Sequence, residues 1–313
     1  MCDLLFFCFF YLACIHFYFS GRGSRCYRMS MKKVPRKIHQ IYTKGWNALP
    51  DGIVASIEDL QKNNPGWEYH FYDEQRIIDF IQLHYGQAML NTWLKINPEY
   101  GAARADFFRY LLIYIEGGVY LDVKSSSAKP LDDIIPDDCE LLLCSWDNNA
   151  CGFDNTKGRH DELCFLQNGE YQQWNITASP ASPYIKAVID EVAGRINHYK
   201  PWIYGIGRMG VLRTTGPIPF SIGIAKVPDS EGFYHIENYR DLGLLYTGVD
   251  KAALKKIKKS QYAQLKTPVV TLEGSDQKKY LLWLYLVFPW LRLKKNIINE
   301  TRNVLVKLKK VMG

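Results

Sequence analysis

Apolar residues along the chain follow two different periods. In short runs they are contiguous or alternate with polar residues, which predicts strands, and in longer stretches they recur every three or four positions, which predicts amphipathic helices. Predicted strands cover 34–42, 67–72, 119–122 and 140–145, and predicted helices cover 51–63, 74–85, 102–116 and 183–198. Strands that alternate with helices predict an α/β fold, with a mostly parallel sheet covered on both faces.

An apolar segment opens the chain. Residues 4–20 form a nearly unbroken hydrophobic run of 17 residues, which is at the short limit for a membrane-spanning helix. Three arginines follow this run, and by the positive-inside rule the body of the chain would then stay cytoplasmic. The alternative is that translation starts at Met29 or Met31. We therefore predict a protein at the cytoplasmic face of a membrane, held peripherally or by a single N-terminal anchor.

The C-terminal end combines an apolar run with a basic tail. Residues 280–291 are too few to span a bilayer, and Pro289 interrupts the run. From Arg292 onward there are seven basic residues and one acid, which accounts for nearly all of the net charge of +7. This combination predicts a segment that lies on an anionic membrane surface. A helix pair packed on the domain is the alternative.

Length and composition suit one sizeable α/β domain, since the chain has 313 residues of which 47% are hydrophobic and 23% charged. We divide it into an apolar leader (1–30), a main domain (31–275) and the membrane-surface segment (276–313). Of eight cysteines, four lie within the main domain at spacings that fit no common zinc site. A cytosolic domain of this size predicts reduced structural thiols rather than a disulfide framework.

The predicted helix at 102–116 concentrates residues that can do chemistry. Asp106 and Arg109 are three positions apart and share one face. Together a carboxylate and a guanidinium can hydrogen-bond sugar hydroxyls and a phosphate, although the same spacing also fits a simple ion pair within the helix. A double glycine ends the helix, and a buried strand then runs into Asp122. The carboxyl end of a strand is where α/β folds bind ligands.

A family resemblance rests on the run from 102 to 124, which includes Ala-Arg-Ala-Asp-Phe-Phe-Arg-Tyr and then Gly-Gly-Val-Tyr-Leu-Asp-Val-Lys. It resembles glycosyltransferases that contain a DXD sugar-binding region. Among these are yeast-type initiating α-mannosyltransferases, bacterial capsule and lipopolysaccharide sugar transferases and, more distantly, clostridial glucosylating toxins. Weaker resemblance covers most of 34–220. The resemblance implies a GT-A fold for the main domain and mostly retaining transfer from a nucleotide sugar.

The resemblance also implies roles for individual residues. Asp106 and Arg109 match the positions that hold the donor sugar, and Asp122 matches the first acid of the motif, which contacts the ribose and the metal. These three are the predicted catalytic residues, and Asp122 is the predicted metal ligand. For His39, a buried core histidine is the alternative. The predicted donor-binding residues are His39, Gln40, Tyr42, Arg104, Asp106, Arg109, Asp122, Lys124, Asn175, Thr215 and Gly216.

The motif departs from the family at its second acid, which is Lys124 here. In the family that acid usually ligates Mn²⁺ or Mg²⁺, and such a metal neutralises the departing diphosphate. A charged lysine cannot ligate a cation, but it can pair with the phosphates itself. Three alternatives are open: a metal bound with help from other residues, partial replacement of the metal by Lys124, or a relative without catalytic activity. The other candidate ligands are Asp132, Asp133, Asp147 and His235.

The sequence therefore predicts a membrane-associated glycosyltransferase that moves a hexose from a nucleotide-diphosphate sugar to a polysaccharide or lipid-linked oligosaccharide, as in capsule or lipopolysaccharide synthesis. We expect Mn²⁺ or Mg²⁺ as cofactor, a membrane surface as the partner of residues 280–313, and no nucleic-acid partner. Two rival interpretations are a non-catalytic sugar-nucleotide-binding relative, and a membrane-surface or nucleic-acid-binding protein built around the basic tail.

Overall fold

A six-stranded mixed sheet forms the centre of the fold in the computed structural model, which describes residues 34–148, 156–248 and 261–290. This sheet has the strand order β2-β1-β3-β6-β5-β7, and β4 pairs with β8 in a small second sheet. The strands are β1 (Lys37–Ile41), β2 (Glu68–Tyr72), β3 (Gly118–Leu121), β4 (Ser126–Ser127), β5 (Leu141–Cys144), β6 (Asn175–Ala178), β7 (Phe233–Ile236) and β8 (Leu244–Leu245).

Strand directions within the central sheet are mostly parallel. The β2–β1, β1–β3 and β5–β7 pairs are parallel, whereas β6 runs antiparallel to its neighbours β3 and β5. The predicted α/β fold with a mostly parallel central sheet is therefore confirmed. Neither β6 nor β7 was predicted, because polar residues interrupt both strands, whereas the predicted strands β3 and β5 are unbroken apolar runs of the same length.

Helices cover the sheet largely where the sequence predicted them. The described residues form α1 (Asp51–Asn63), α2 (Glu74–Leu94), α3 (Gly101–Glu116), α4 (Pro183–Asn197), α5 (Pro201–Tyr204), α6 (Gly207–Thr214), α7 (Pro217–Ile224) and α8 (Ser275–Leu282). The helix predicted to end at residue 85 continues to Leu94 past a break at Gly86, whose φ is 73°. The glycine interrupts the helical backbone there without ending the element.

The chain beyond α8 stays helical to residue 290, through a π-helical turn at Trp283–Val287. The prediction that Pro289 interrupts this run was wrong, because the proline follows a π turn in which the helical hydrogen-bond pairing has already shifted. Among the described residues, no helix is both long enough and apolar enough to cross a bilayer. The predicted leader (1–30) and the whole basic tail (292–313) lie outside the described residues, so the domain limits stay predictions.

Both faces of the sheet are buried under apolar side chains. Along β3, Tyr120 lies on one face and Val119 and Leu121 lie on the other, as the two-residue period of a strand requires. The Tyr120 face packs against residues of α2, α3 and α4. Since α3 lies inside this layer, ten of its sixteen residues are buried. Any charged residue on α3 therefore needs a partner within the protein.

Two consecutive glycines join α3 to β3. Gly117 and Gly118 have φ angles of 63° and 87°, in the left-handed region that favours glycine. A Cβ on Gly117 would lie 2.7 Å from Cδ of Pro180, and one on Gly118 would lie 2.5 Å from the carbonyl oxygen of Lys37. This tight turn fixes how α3 and β3 are placed relative to each other, and so how the side chains they carry meet.

The described residues include three cysteines, of which two are buried and one is exposed. Cys139, Cys144 and Cys164 are free thiols. Cys139 and Cys144 are buried, and burial raises the pKa of both thiols to about 12. They are therefore protonated packing residues at neutral pH. Cys151 lies outside the described residues.

Candidate active site

A cleft with a volume of about 500 Å³ opens at the carboxyl ends of β1 and β3, beside the first turns of α3. Strand ends of this kind bind ligands in α/β proteins, and the volume is within the range of small-molecule sites. The polar and charged side chains that line it are Tyr42, Thr43, Lys44, Glu99, Arg109, Tyr120, Asp122, Lys124 and Tyr262.

Asp106 and Arg109 form a buried ion pair on α3. Arg109 Nη2 lies 2.8 Å from Asp106 Oδ1, and the two side chains are 6% and 5% exposed. Asp106 also accepts hydrogen bonds from Thr215 Oγ1 at 3.2 Å and from Gln173 Nε2 at 3.3 Å. Burial raises the pKa of Asp106 to about 6, although Arg109 acts to lower it. Three donors therefore hold this carboxyl group, and it supports the arginine that reaches the cleft.

Arg109 connects this pair to the loop after β3. Its Nη1 donates to Asp122 Oδ1 at 3.1 Å and to the backbone oxygen of Gln173 at 2.8 Å. Its guanidinium carbon lies 4.5 Å from the ring centre of Tyr120, whose hydroxyl donates to the same Asp122 oxygen at 2.9 Å. The structure thus brings Asp106, Arg109 and Asp122 together, with Arg109 as the shared partner.

Lys124 adds a second cation to the cleft. Its Nζ lies 3.7 Å from Asp122 Oδ2 and 3.2 Å from the hydroxyl of Tyr246, with the centre of the Tyr246 ring 4.3 Å away. Burial acts to lower the pKa of Lys124, but Asp122 and Tyr246 outweigh it and raise the pKa above its ordinary value. Two charged cations therefore flank one carboxylate.

Tyr42 lines the cleft, whereas Thr215 lies outside its lining and donates to Asp106. Gly216 follows in the turn before α7, where a Cβ would lie 2.8 Å from Cα of Leu212. The predicted Thr215–Gly216 turn thus holds the buried carboxyl group of Asp106 through the Thr215 hydroxyl, and it does not line the cleft.

His39 and Gln40 were predicted to bind the donor, but in the structure both lie outside the cleft lining. The ring Nε2 of His39 donates to the carbonyl of Gly117 at 3.0 Å, and burial lowers the pKa of His39 to about 3. It is a neutral core histidine. Gln40 Nε2 donates to the carbonyl oxygens of Asp122 at 3.2 Å and Ser125 at 3.3 Å. Gln40 therefore positions the loop that presents Asp122.

Arg104 and Asn175 also lie outside the cleft lining. Arg104 Nε donates to the carbonyl of Ile96 at 3.1 Å, and its guanidinium pairs with Glu74. Asn175 Nδ2 donates to Gln172 Oε1 at 3.0 Å. Both side chains are thus engaged in contacts that hold α3 and β6 against neighbouring segments. Neither one reaches the cleft where a donor would bind.

Three residues of the site were not singled out in the sequence: Tyr120, Gln173 and Tyr246. Tyr120 stands two positions before Asp122 in the matched motif, so the motif itself contains a signal for it. Gln173 and Tyr246 come from distant segments. No local pattern distinguishes them, because their role depends on the fold.

The donor set around Asp122 does not fit a divalent metal. In the described ranges, no group of three or more His, Cys, Asp or Glu side chains could hold such an ion. Asp122 Oδ1 already accepts from Arg109 and Tyr120, and Oδ2 faces the Lys124 ammonium. Two like unit charges 4 Å apart repel by about 4 kcal/mol at an effective dielectric of 20, and a dication doubles this. The other candidate ligands lie outside the cleft lining: Asp132, Asp133, Asp147 and His235.

Part of the chain is similar to proteins of known families. Residues 50–141 match the family model described as a glycosyltransferase sugar-binding region containing a DXD motif. An uncharacterised glycosyltransferase of Acanthamoeba polyphaga mimivirus is 32% identical over 102 residues, or 33% of this chain and 40% of that protein. Inositol phosphoceramide mannosyltransferase 1 of Schizosaccharomyces pombe is 28% identical over 108 residues, or 34% of this chain and 32% of that protein.

Among solved structures, the PaToxG glycosyltransferase has 14% sequence identity and a TM-score of 0.41, over 80% of this chain and 84% of that one. The chain spans less than half the length of the two curated relatives. The predicted resemblance is confirmed: residues 50–141, which include α3 and Asp122, match the sugar-binding region of a glycosyltransferase family. Glycosyltransferases with a DXD region generally bind a divalent metal, and Lys124 is where this chain departs from them.

Proposed function

We propose that the chain is a glycosyltransferase that moves a hexose from a nucleotide-diphosphate sugar to a lipid-linked oligosaccharide or a polysaccharide. One observation carries this proposal: Arg109, Asp122 and Lys124 meet in one cleft at the strand ends, with Asp106 buried behind them. A diphosphate needs cations and a ribose or hexose needs hydrogen-bond acceptors. The cleft provides both within one hydrogen-bonded cluster.

Each residue has a proposed part in the transfer. Lys124 and Arg109 stabilise the negative charge that develops on the diphosphate as the bond to the sugar breaks. Asp122 accepts hydrogen bonds from ribose or hexose hydroxyls, and Tyr120 and Arg109 hold it in place. Asp106 acts through Arg109, which it fixes in one orientation. Tyr42, just after β1, borders the nucleotide base.

Hexose is the proposed sugar class because a relative is named as a mannosyltransferase. Retention of the anomeric configuration is a further proposal, supported by the family resemblance alone. Proton NMR of the glycoside formed by transfer, or of the free hexose released by hydrolysis and recorded before mutarotation, distinguishes the two anomers. An inverted product would contradict the retaining mechanism and leave the transferase proposal in place.

Hydrolysis and transfer assays with UDP- and GDP-hexoses test the enzymatic proposal. We expect Asp122→Asn to lower kcat/KM at least a hundredfold, since it removes a charged acceptor from the reacting centre. Asp59→Asn, on the exposed face of α1, is the matched control and should leave the rate unchanged. Tight nucleotide-sugar binding without turnover, in several donors, would instead indicate a non-catalytic relative.

A membrane-bound acceptor is favoured by the exposed apolar surface at the end of the described chain. Leu282, Leu286 and Trp290 are 65%, 67% and 59% exposed, and Trp202 and Trp283 line an apolar groove of about 240 Å³ beside them. Exposed apolar patches of this kind mark interaction sites. The basic sequence that follows fits anionic lipid headgroups. We propose that this surface lies on the cytoplasmic face of a membrane, where it presents the cleft to a lipid-linked acceptor.

Co-sedimentation with vesicles of neutral and of anionic phospholipid tests this part. Leu282→Ser with Leu286→Ser should release the protein from anionic vesicles and leave hydrolysis of soluble donors unchanged. Leu83→Ser is the control, because Leu83 is 78% exposed but lies on α2. Unchanged vesicle binding in the double variant would contradict the membrane role of this surface.

A further inference from the structure

The position that holds the second acid of the DXD motif in related enzymes is occupied by an ammonium in this chain. Lys124 is pinned at its backbone, where its carbonyl accepts a hydrogen bond from Gly248 N at 2.8 Å. Its side chain packs over the Tyr246 ring, with Nζ 4.3 Å from the ring centre. The side chain is 29% exposed and lines the cleft. The ammonium is thus held beside Asp122 and remains open to a ligand.

We propose that Lys124 replaces the divalent cation, so that this site binds the diphosphate of its donor without a metal. The inference rests on the proposed function, and it specifies which cationic group of the protein binds the diphosphate. Lys124 and Arg109 approach Asp122 from two sides, on Oδ2 and Oδ1. Together they present two cationic groups to a diphosphate that enters between them and the first turn of α3.

Charge accounting supports the replacement. Two carboxylates and one dication sum to zero, and so do one carboxylate and one ammonium. The Lys124 site therefore has, without any ion, the charge that a DXD site reaches after it has bound its metal. A divalent ion on Asp122 would add two positive charges beside the Lys124 ammonium, which lies 3.7 Å from Oδ2, and would compete with the two donors already on Oδ1.

Replacing Lys124 with aspartate provides a sharp test, because Lys124→Asp restores the acid-x-acid motif. Without metal this variant has two carboxylates and repels a diphosphate, so its nucleotide affinity should depend on Mn²⁺. Lys124→Met removes the charge and keeps the length of the side chain. It should bind nucleotide weakly both with and without Mn²⁺. Lys62→Asp makes the same charge change at an exposed site on α1, and should behave as the wild type.

The experiment is isothermal titration of the full chain with UDP and with GDP, in EDTA and in millimolar Mn²⁺, with thermal melting to check that each variant is folded. We expect the wild-type dissociation constant for the preferred nucleotide to change less than threefold between the two buffers. For Lys124→Asp we expect at least a tenfold loss in EDTA and recovery in Mn²⁺.

Three results would count against the proposal, and they differ in meaning. Wild-type affinity that rises more than tenfold with Mn²⁺ would overturn the metal-free site and leave the glycosyltransferase function standing. If the wild type bound neither UDP nor GDP in either buffer, the proposed function itself would fail, and this inference with it. Lys124→Met binding as tightly as the wild type in EDTA would also overturn the role of Lys124.

Discussion

The buried pair of Asp106 and Arg109 gives the most direct test of how the site is held together. The perturbation is a double-mutant cycle with Asp106→Asn, Arg109→Met and the combined variant. Their charged atoms are 2.8 Å apart, and both side chains are almost fully buried. Each single substitution leaves a charged group buried without its main partner, whereas the combined variant removes both charges.

The expected magnitude follows from that burial. Breaking a buried pair by removing one partner costs about 3–5 kcal/mol of unfolding free energy. Arg109 keeps Asp122, and Asp106 keeps Thr215 and Gln173, so we expect the single losses at the lower end of this range. The combined loss should then be smaller than the sum of the two by about 2–3 kcal/mol.

The measurement is urea unfolding followed by tryptophan fluorescence, with one m-value shared across the four proteins. The pair Lys186–Asp190 on α4 is the control, because it has an N–O distance of 2.6 Å but side chains that are 50% and 63% exposed. Its cycle, with Lys186→Met and Asp190→Asn, should give about 0.3–0.5 kcal/mol. A buried-pair coupling no larger than this surface value would refute the argument that burial makes the pair strong.

Three further predictions concern the same region. Because burial raises the pKa of Asp106 from 3.8 in the unfolded chain to about 6, protonated Asp106 favours the folded state below pH 4, and this contribution is lost as the pH rises through 6. The unfolding free energy of the wild type minus that of Asp106→Asn should therefore fall from pH 4 to pH 6; a rise would show that pairing with Arg109 outweighs burial. Gly118→Ala should cost about 1–3 kcal/mol in urea unfolding, since its Cβ would lie 2.5 Å from a carbonyl oxygen at a φ of 87°; an unchanged midpoint would mean that the turn relaxes freely. Tyr120→Phe removes the hydroxyl that donates to Asp122 and keeps the ring beside Arg109. The unfolding free energy should drop by about 1 kcal/mol, and the loss in kcat/KM for donor hydrolysis, expressed as a free energy, should be larger; a kcat/KM equal to that of the wild type would show that the hydroxyl does not orient Asp122.

Local patterns were sufficient for the elements that carry the chemistry. The boundaries of α1, α3 and α4 lie within one residue of the predicted ones, because their apolar spacing and their end signals agree. The convergence of Asp106 and Arg109 with Asp122 was also predictable. The short glycine turn after α3 leads directly into β3, and Asp122 follows the carboxyl end of that adjacent strand. The motif departure at Lys124 was visible in the sequence as well.

The partners of those residues were not predictable from local patterns. For His39 both a donor-binding role and a buried core position were open, and its ring donates to Gly117 in the core. Gln40 was also predicted to bind the donor, and instead its side-chain amide donates to the backbone carbonyl of Asp122. In a strand, adjacent residues point to opposite faces, and which face meets a cleft or a core depends on the layers that pack on it.

By itself the sequence determined the class of fold, the helix and turn that present the charged cluster, and the presence of a lysine at the second acid position. Tertiary structure decided the antiparallel insertion of β6, the contacts of Gln173 and Tyr246 with the cluster, and the surroundings of Asp122. The physical reason is that helical periodicity and glycine turns act over a few neighbouring residues. The electrostatic state of a buried charge is set by groups that only the folded chain brings within a few ångströms.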